Sequence, residues 1–179
     1  MHGIVTLLDE VNTINVQSLW QKLETECGLS GIKVTPIPHY SWQVAEDYEL
    51  QSLEPILRKI AQATQPFTVH TTGLGLFTGD RPVVFIPLVK DAQMLRFHEM
   101  IWEQAKTSAH GINQLYSPAS WIPHITLAHG DVDPHKLTCA MESIAFQSFD
   151  WEIIVDNLAL IGQDEDDIGR EVLRVRFKG

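Results

Sequence analysis

Two short segments of the same design, one in each half of the chain, constrain this sequence more than any other feature. In the first, His39 and Ser41 are separated by one residue, and in the second His124 and Thr126 are separated in the same way. A proline directly precedes each histidine, which is compatible with the first position of a strand. Because side chains on a strand alternate between its two faces, each histidine should share a face with its hydroxyl residue. The histidines are 85 positions apart (124 − 39), so only the tertiary fold can bring them together.

A titratable imidazole beside a hydroxyl group suits phosphoryl chemistry. Histidine has an ordinary pKa of about 6.5, so both of its protonation states are accessible near neutral pH. A hydroxyl group can donate a hydrogen bond to a phosphate oxygen. The pattern therefore predicts that His39 and His124 move protons, and that Ser41 and Thr126 hold a phosphate.

The charge of the chain limits its partners. The 179 residues carry a net charge of −10 and have an isoelectric point near 5.1. A protein that grips a long nucleic acid usually presents a basic surface, so a long duplex is not expected as a partner. A small nucleotide or the end of an RNA stays possible, because a local site can be positive on an acidic protein.

The sequence also indicates a compartment. Cys27 and Cys139 are the only cysteines, and their spacing suggests neither a disulfide framework nor a metal site. The first residues do not resemble a signal peptide, and no apolar run approaches the roughly 20 residues that span a bilayer. We therefore expect a cytoplasmic protein without a membrane segment, and the sequence does not indicate its oligomeric state.

Hydrophobic periodicity and turn residues predict an alternating order of strands and helices. Strands are expected at residues 3–8, 31–35, 38–44, 67–72, 83–89, 149–161 and 172–177, and at the His124 segment. Helices are expected from residue 12 or 13 to 28, from 47 to 66, from 91 to 108, and from 133 onward. Short turns between neighbouring strands favour antiparallel pairing, which gives an α+β fold with helices outside one or two antiparallel sheets.

Two segments between these elements are predicted to be loops. Residues 109–120 are rich in Gly, Asn, Ser and Pro and lead directly to the His124 strand, so they are a candidate lid or substrate loop. The acidic stretch at 162–169 is predicted to be a solvated hairpin loop. The second half of the element order loosely repeats the first, and each half contributes one histidine strand.

With these motifs in place, the sequence resembles the 2H phosphoesterase superfamily, also called the 2′-5′ RNA ligase or LigT-like family. The resemblance covers nearly the whole chain. Its matching segments are His39-Tyr40-Ser41, Gly73-Leu74-Gly75-Leu76-Phe77, Val83-Val84-Phe85-Ile86-Pro87-Leu88 and Pro123-His124-Ile125-Thr126-Leu127-Ala128. Ser41 in place of threonine is within the family pattern, whereas Tyr40 is bulkier than the usual aliphatic residue.

The resemblance implies a single bilobal domain over residues 1–179, with pseudo-twofold duplicated lobes around a central cleft. It implies metal-independent cleavage of a phosphodiester without a cofactor, such as a 2′,3′-cyclic phosphate on a nucleotide or an RNA end. The same groups could form a 2′-5′ linkage in reverse. In this scheme His39 and His124 are the acid–base pair, and Ser41 and Thr126 bind the phosphate.

Several aromatic residues could contact a substrate base. Phe77, Trp42, Tyr116 and Trp121 could each stack on a base or belong to the core instead, and Tyr116 is favoured because it lies on the predicted loop. We name Tyr116, Phe77 and Trp121 as possible substrate contacts. His70 belongs to a third His-x-Thr pattern, but it follows the second helix, where the family has its glycine-rich strand, and we do not assign it a catalytic role.

Two alternatives to a metal-independent enzyme stay open. The chain could be a nucleotide-binding or interaction module without turnover, or a metal-dependent hydrolase in which His124, His129 and a third group hold zinc. The sequence does not identify the substrate, the direction of the reaction in the cell, or which histidine is the acid.

Overall fold

The structure is a computed structural model that describes residues 1–162 and 169–178. Its strands are β1 (His2–Leu7), β2 (His39–Tyr48), β3 (Phe67–His70), β4 (Gly75–Phe77), β5 (Val83–Pro87), β6 (Ala109–Ile112), β7 (His124–Ala128), β8 (Glu152–Val155), β9 (Asn157–Gly162) and β10 (Arg170–Arg176). Its helices are α1 (Glu10–Cys27), α2 (Leu50–Ala63), α3 (Ala92–Ala105) and α4 (Pro134–Ile144). Short 3₁₀ turns lie at Gly31–Val34, Lys106–Ser108 and Gln114–Tyr116.

The strands form antiparallel sheets. One sheet has five strands in the order β10-β9-β1-β2-β6. The other strands pair as β3-β8 and as β4-β5-β7, and a bridge between Thr71 and Leu88 joins β3 to the end of β5. β3 and β4 therefore follow one another along the same side of β5. Helices α2 and α3 pack on the five-stranded sheet, and α1 packs on β7 and α4. The α+β fold with antiparallel sheets and outer helices is confirmed.

The two halves of the chain share one structural unit. In β1-α1-β2 a strand and a helix are followed by a second strand that pairs antiparallel with the first, and β5-α3-β7 repeats this arrangement with β6 inserted between α3 and β7. His39 lies opposite Leu7, the last residue of β1, and His124 lies opposite Pro87, the last residue of β5. The predicted repeat is thus present, and each copy places its histidine at the same position of the pair.

Local signals explain where the first helix begins and ends. The Asp9 carboxylate accepts a hydrogen bond from the Asn12 amide, so Asp9 is the N-cap, one turn before the predicted start. Gly28 ends the helix with φ of 66°, in the left-handed region that glycine adopts without strain. The helix thereby turns its buried side chains, Val16, Leu19 and Leu23, toward the core.

Some predicted elements differ from the structure. Residues 31–34 form a 3₁₀ turn instead of a strand, and α2 begins at Leu50, because β2 continues to Tyr48. Part of the predicted loop, Ala109–Ile112, pairs with β2 as an edge strand. The predicted long strand at 149–161 is two strands. Asp156 separates β8, which pairs with β3, from β9, which belongs to the five-stranded sheet. The predicted acidic hairpin lies mostly at 163–168, outside the described residues.

The two cysteines form a disulfide, which their spacing in the sequence did not predict. Cys27 ends α1 and Cys139 lies on α4, with their Cα atoms 5.7 Å apart. The bond joins two helices through cysteines that are 112 residues apart in sequence. Among the described residues, no helix is both long enough and apolar enough to cross a membrane. The extent of a single domain over residues 1–179 stays a prediction.

Candidate active site

On each of the two histidine strands, the histidine and its hydroxyl residue lie on the same face, as predicted. His39, Ser41, His124 and Thr126 are all half-buried at the surface of the sheets. The residues between and after them point into the core and are buried: Tyr40, Trp42, Ile125 and Leu127. The period-two alternation therefore places an imidazole and a hydroxyl side by side on each strand, as the sequence predicts.

The backbone fixes the orientation of both imidazole rings. Nδ1 of His39 lies 2.5 Å from the carbonyl oxygen of Ile37, and Nδ1 of His124 lies 2.7 Å from that of Ile122. A carbonyl oxygen only accepts, so Nδ1 carries the hydrogen in each ring. Nε2 is then the nitrogen that gains or loses a proton. The two rings thus have the same tautomer for the same structural reason.

The start of each histidine strand is tied to the neighbouring strand of its own unit. The Leu8 amide donates to the carbonyl oxygen of Pro38 over 3.2 Å, and the Leu88 amide donates to that of Pro123 over 3.0 Å. Both prolines lack an N–H, so their carbonyl oxygen is the group that can continue the ladder. These bonds fix the position of the residue that precedes each histidine.

An open cleft of about 290 Å³ brings three of the four motif residues together. His39, Ser41 and Thr126 line it, along with Tyr116 and His129. The cleft lining does not include His124, whose ring contacts Phe77 edge-on and Phe85 at a tilt, with ring centroids 5.0 and 5.1 Å away. His39 therefore faces a polar cleft, whereas the neighbours of the His124 ring are aromatic.

Burial lowers the pKa of both histidines. Loss of hydration disfavours the charged imidazolium, and this effect exceeds the opposing effect of the carbonyl at Nδ1 in each case. The positive charge of His124 lowers the pKa of His39 further. The strands β2 and β7 that carry these histidines belong to different sheets and contact each other.

The three predicted substrate contacts have different environments. Tyr116 lines the cleft, and Phe77 borders His124. Trp121 is only 1% exposed and stacks on His98, with centroids 3.8 Å apart, so its ring cannot receive a base. The prediction for Trp121 is wrong, because its flat faces are already covered by core residues.

The structure adds cleft residues that the motifs did not reveal. His129 lies just beyond β7, and His2 begins β1, where its Nδ1 is 3.1 Å from the carbonyl oxygen of Glu46. Burial lowers the pKa of His129, and the charge of Asp131 opposes that effect. His129 follows Thr126 by only three residues, so its position in the sequence could have predicted that it lies at the cleft. His2 could not have been predicted, because it reaches the cleft only through the non-local pairing of β1.

The third His-x-Thr pattern is not part of this cleft. His70 is exposed on β3, opposite Glu152 of β8, and Thr72, the hydroxyl residue of the pattern, is exposed beyond the end of the strand. In the described ranges, 1–162 and 169–178, no group of three or more His, Cys, Asp or Glu side chains could hold a metal ion. A zinc site built on His124 and His129 therefore has no third ligand in that part of the chain.

Comparisons with known proteins agree on the fold. A family model described as the 2′-5′ RNA ligase superfamily matches residues 15–167. The structure of TT0787 from Thermus thermophilus is similar with a TM-score of 0.68 and 18% identity, over 99% of this chain and 98% of that chain. E. coli LigT complexed with NADP+ gives a TM-score of 0.61 at 13% identity, over 99% and 97% of the two chains. LigT complexed with 3′-AMP gives 0.60 at 13% identity, over 100% of both. A search of curated proteins by sequence found no match.

Proposed function

The chain belongs to the 2′-5′ RNA ligase superfamily, and from that premise we propose that it is a metal-independent phosphodiesterase that opens 2′,3′-cyclic phosphates on nucleotides or RNA ends. One observation supports this proposal above the others. Each of two half-buried histidines has Nδ1–H held by a carbonyl, Nε2 left to exchange a proton, and a hydroxyl residue two positions along the same strand face.

The proposed reaction needs only these four side chains and water. One histidine takes a proton at Nε2 from a water molecule as the water oxygen bonds to phosphorus. The other histidine gives its Nε2 proton to the ribose oxygen as the bond from phosphorus to that oxygen breaks. Ser41 and Thr126 donate hydrogen bonds to the non-bridging oxygens and stabilise the charge that grows on them. When the 5′-hydroxyl of a second nucleotide takes the place of water, its oxygen bonds to phosphorus as the bond to the ribose 3′-oxygen breaks. The first histidine takes the hydroxyl proton, the second protonates the 3′-oxygen, and a 2′-5′ linkage forms.

A small substrate fits the chain better than a long one. The net charge of −10 repels an extended polyanion, and the cleft of about 290 Å³ has room for one nucleotide unit rather than a duplex. The LigT structures that resemble this chain hold NADP+ and 3′-AMP, which are small nucleotides. We propose the cytoplasm as the compartment. Disulfides are uncommon there, so formation of the Cys27–Cys139 bond in the cell would contradict this location.

The direct test is hydrolysis of the four nucleoside 2′,3′-cyclic monophosphates by the purified protein in excess EDTA. We expect turnover that EDTA does not change, and the position of the phosphate in the product identifies the ribose oxygen that leaves. Activity lost in EDTA and restored by zinc would contradict the metal-independent mechanism. Nucleotide binding without any turnover would contradict the enzymatic proposal and favour a binding module.

The activity should be highest on the acidic side of neutrality. The reaction requires one protonated and one neutral histidine, so kcat/KM should be bell-shaped, with its maximum midway between the two pKa values of the free enzyme. Burial lowers both pKa values from the ordinary 6.5, so the maximum should fall below pH 6.5. As the pH rises above that point, both imidazoles become neutral and no acid remains.

This profile is measured as kcat/KM for one cyclic nucleotide over a range from well below to well above neutral pH at constant ionic strength. Protein stability is followed over the same range, so that unfolding at low pH is not mistaken for titration of the base. A maximum on the alkaline side of neutrality would show that burial does not control the acid–base pair.

A further inference from the structure

Each histidine strand contains a β-bulge directly after its hydroxyl residue. In the pairing of β1 with β2 the register shifts so that Trp42, which follows Ser41, is the extra residue. In the pairing of β5 with β7 the same shift makes Leu127, which follows Thr126, the extra residue. A bulge interrupts the ladder locally and re-aims the neighbouring side chains. The two phosphate-binding candidates therefore lie at the least regular point of their strands.

At each bulge an indole from the other half of the chain bonds the backbone. Nε1 of Trp121, on the segment before β7, donates to the carbonyl oxygen of Ser41 over 2.9 Å. Nε1 of Trp20, on α1, donates to the carbonyl oxygen of Thr126 over 3.0 Å. An indole N–H can only donate, and its rigid ring allows little variation in the position of the acceptor. The two hydroxyl residues are thus held in the same way by two unrelated parts of the sequence.

We propose that Trp20 is a positioning residue that fixes the bulge at Thr126 and thereby aims the Thr126 hydroxyl into the cleft. This inference rests on the proposed role of Thr126 in binding the phosphate. Trp121 plays the same part for Ser41. Without the indole bond, the irregular backbone at the bulge has one fewer constraint, and the hydroxyl samples positions away from the non-bridging oxygen.

Trp20 is the better of the two for a test. It is half-buried, whereas Trp121 is 1% exposed and its loss would disturb the core. Trp20 also borders a surface pocket of about 230 Å³ together with Leu29 and Ile32. Replacing its indole with a smaller ring therefore opens onto solvent-accessible space instead of leaving a closed cavity. Trp151, also half-buried, packs on Phe149 and lies outside the cleft, so it provides a matched control.

The first experiment compares Trp20→Phe with Trp151→Phe in the hydrolysis assay. We expect kcat to fall about 10-fold in Trp20→Phe with KM nearly unchanged, since a modest displacement of a group that stabilises the transition state costs rate more than ground-state binding. Trp151→Phe should keep the wild-type kcat. Benzothienylalanine at position 20, which keeps the size of the ring and replaces N–H with sulfur, should reproduce the loss. A variant with benzothienylalanine and full activity would overturn the proposal.

A double-mutant cycle distinguishes positioning from a general structural effect. If Trp20 acts through Thr126, then Trp20→Phe should change kcat little in a Thr126→Ala background. In a Ser41→Ala background it should retain its full effect, because the other bulge is held by Trp121. Equal losses in both backgrounds would show that Trp20 acts on the fold as a whole and would overturn the inference.

A measurement that does not need turnover separates this inference from the proposed function. Absence of turnover in the wild type would refute the phosphodiesterase, and the same cycle would then be read from the affinity for inorganic phosphate and for 3′-AMP. Weaker binding in Trp20→Phe, non-additive with Thr126→Ala, supports the positioning role; unchanged binding overturns it. Hydrogen exchange of the Trp20 indole in NMR spectra should be slow, and exchange as fast as in a free indole would also overturn it.

Discussion

Replacing His39 with alanine is expected to lower kcat/KM for cyclic phosphate opening by about 10²–10⁴-fold, and His124→Ala should have an effect of the same order. Each imidazole moves one proton in the proposed step, at an Nε2 that its Nδ1–carbonyl bond holds in place. The double variant should lose little more than either single variant, because the acid and the base work in the same step.

The hydrolysis assay with purified variants checks this expectation, and His70→Ala is the matched control. His70 carries the same His-x-Thr pattern but is exposed on β3, outside the cleft. It should therefore keep wild-type activity. Circular dichroism and thermal unfolding verify that each variant is folded. Wild-type rates in either His39→Ala or His124→Ala would refute the site assignment.

Removal of the Cys27–Cys139 disulfide is expected to lower the free energy of unfolding by about 2–4 kcal/mol. The bond closes a loop between cysteines 112 residues apart, so it restricts the unfolded chain strongly. It also joins α1, which carries Trp20, to α4. We expect Cys27→Ser, Cys139→Ser and the double variant to be destabilised to similar extents, since each lacks the same bond.

Urea unfolding of the oxidised protein, the reduced protein and the double variant measures this difference. Thiol labelling of the protein that has not been treated with reductant, under denaturing conditions, shows whether the bond has formed. Two labelled thiols per chain, or unfolding midpoints that do not change on reduction, would contradict the disulfide. The reduced form would then be the relevant state, in agreement with the proposed cytoplasmic location.

The histidine strands could be predicted because their signal is local. A proline marks where each strand begins, and the alternation of buried and half-buried residues follows from the geometry of one strand alone. The position of His39 and His124 at one cleft was an expectation from the duplicated pattern and the family resemblance. The structure places them on β2 and β7, two strands of different sheets that contact each other, and their common role stays a prediction.

The misassigned elements depend on partners that periodicity does not identify. Residues 109–112 lack a clear apolar alternation and form a strand only because the end of β2 offers an edge. Trp121 resembles a residue available for stacking until the fold places His98 and Trp42 against it. The cysteines have no informative spacing, since α1 and α4 meet only in the folded protein. Each of these three errors concerns a contact between distant segments.

The equivalent placement of His39 and His124, each opposite the end of the preceding strand of its unit, has a consequence for product regiochemistry. Two like half-sites do not by themselves distinguish the two ester oxygens of a cyclic phosphate, since a substrate turned end for end would meet the same groups with their roles exchanged. In the proposed reaction, the choice between a 2′- and a 3′-phosphate product must therefore come from the unlike surroundings of the two motifs. Phe77 contacts His124, whereas His2 and His129 line the cleft with His39. Alterations to these surroundings, with both histidine motifs intact, should be able to invert the isomer that is released.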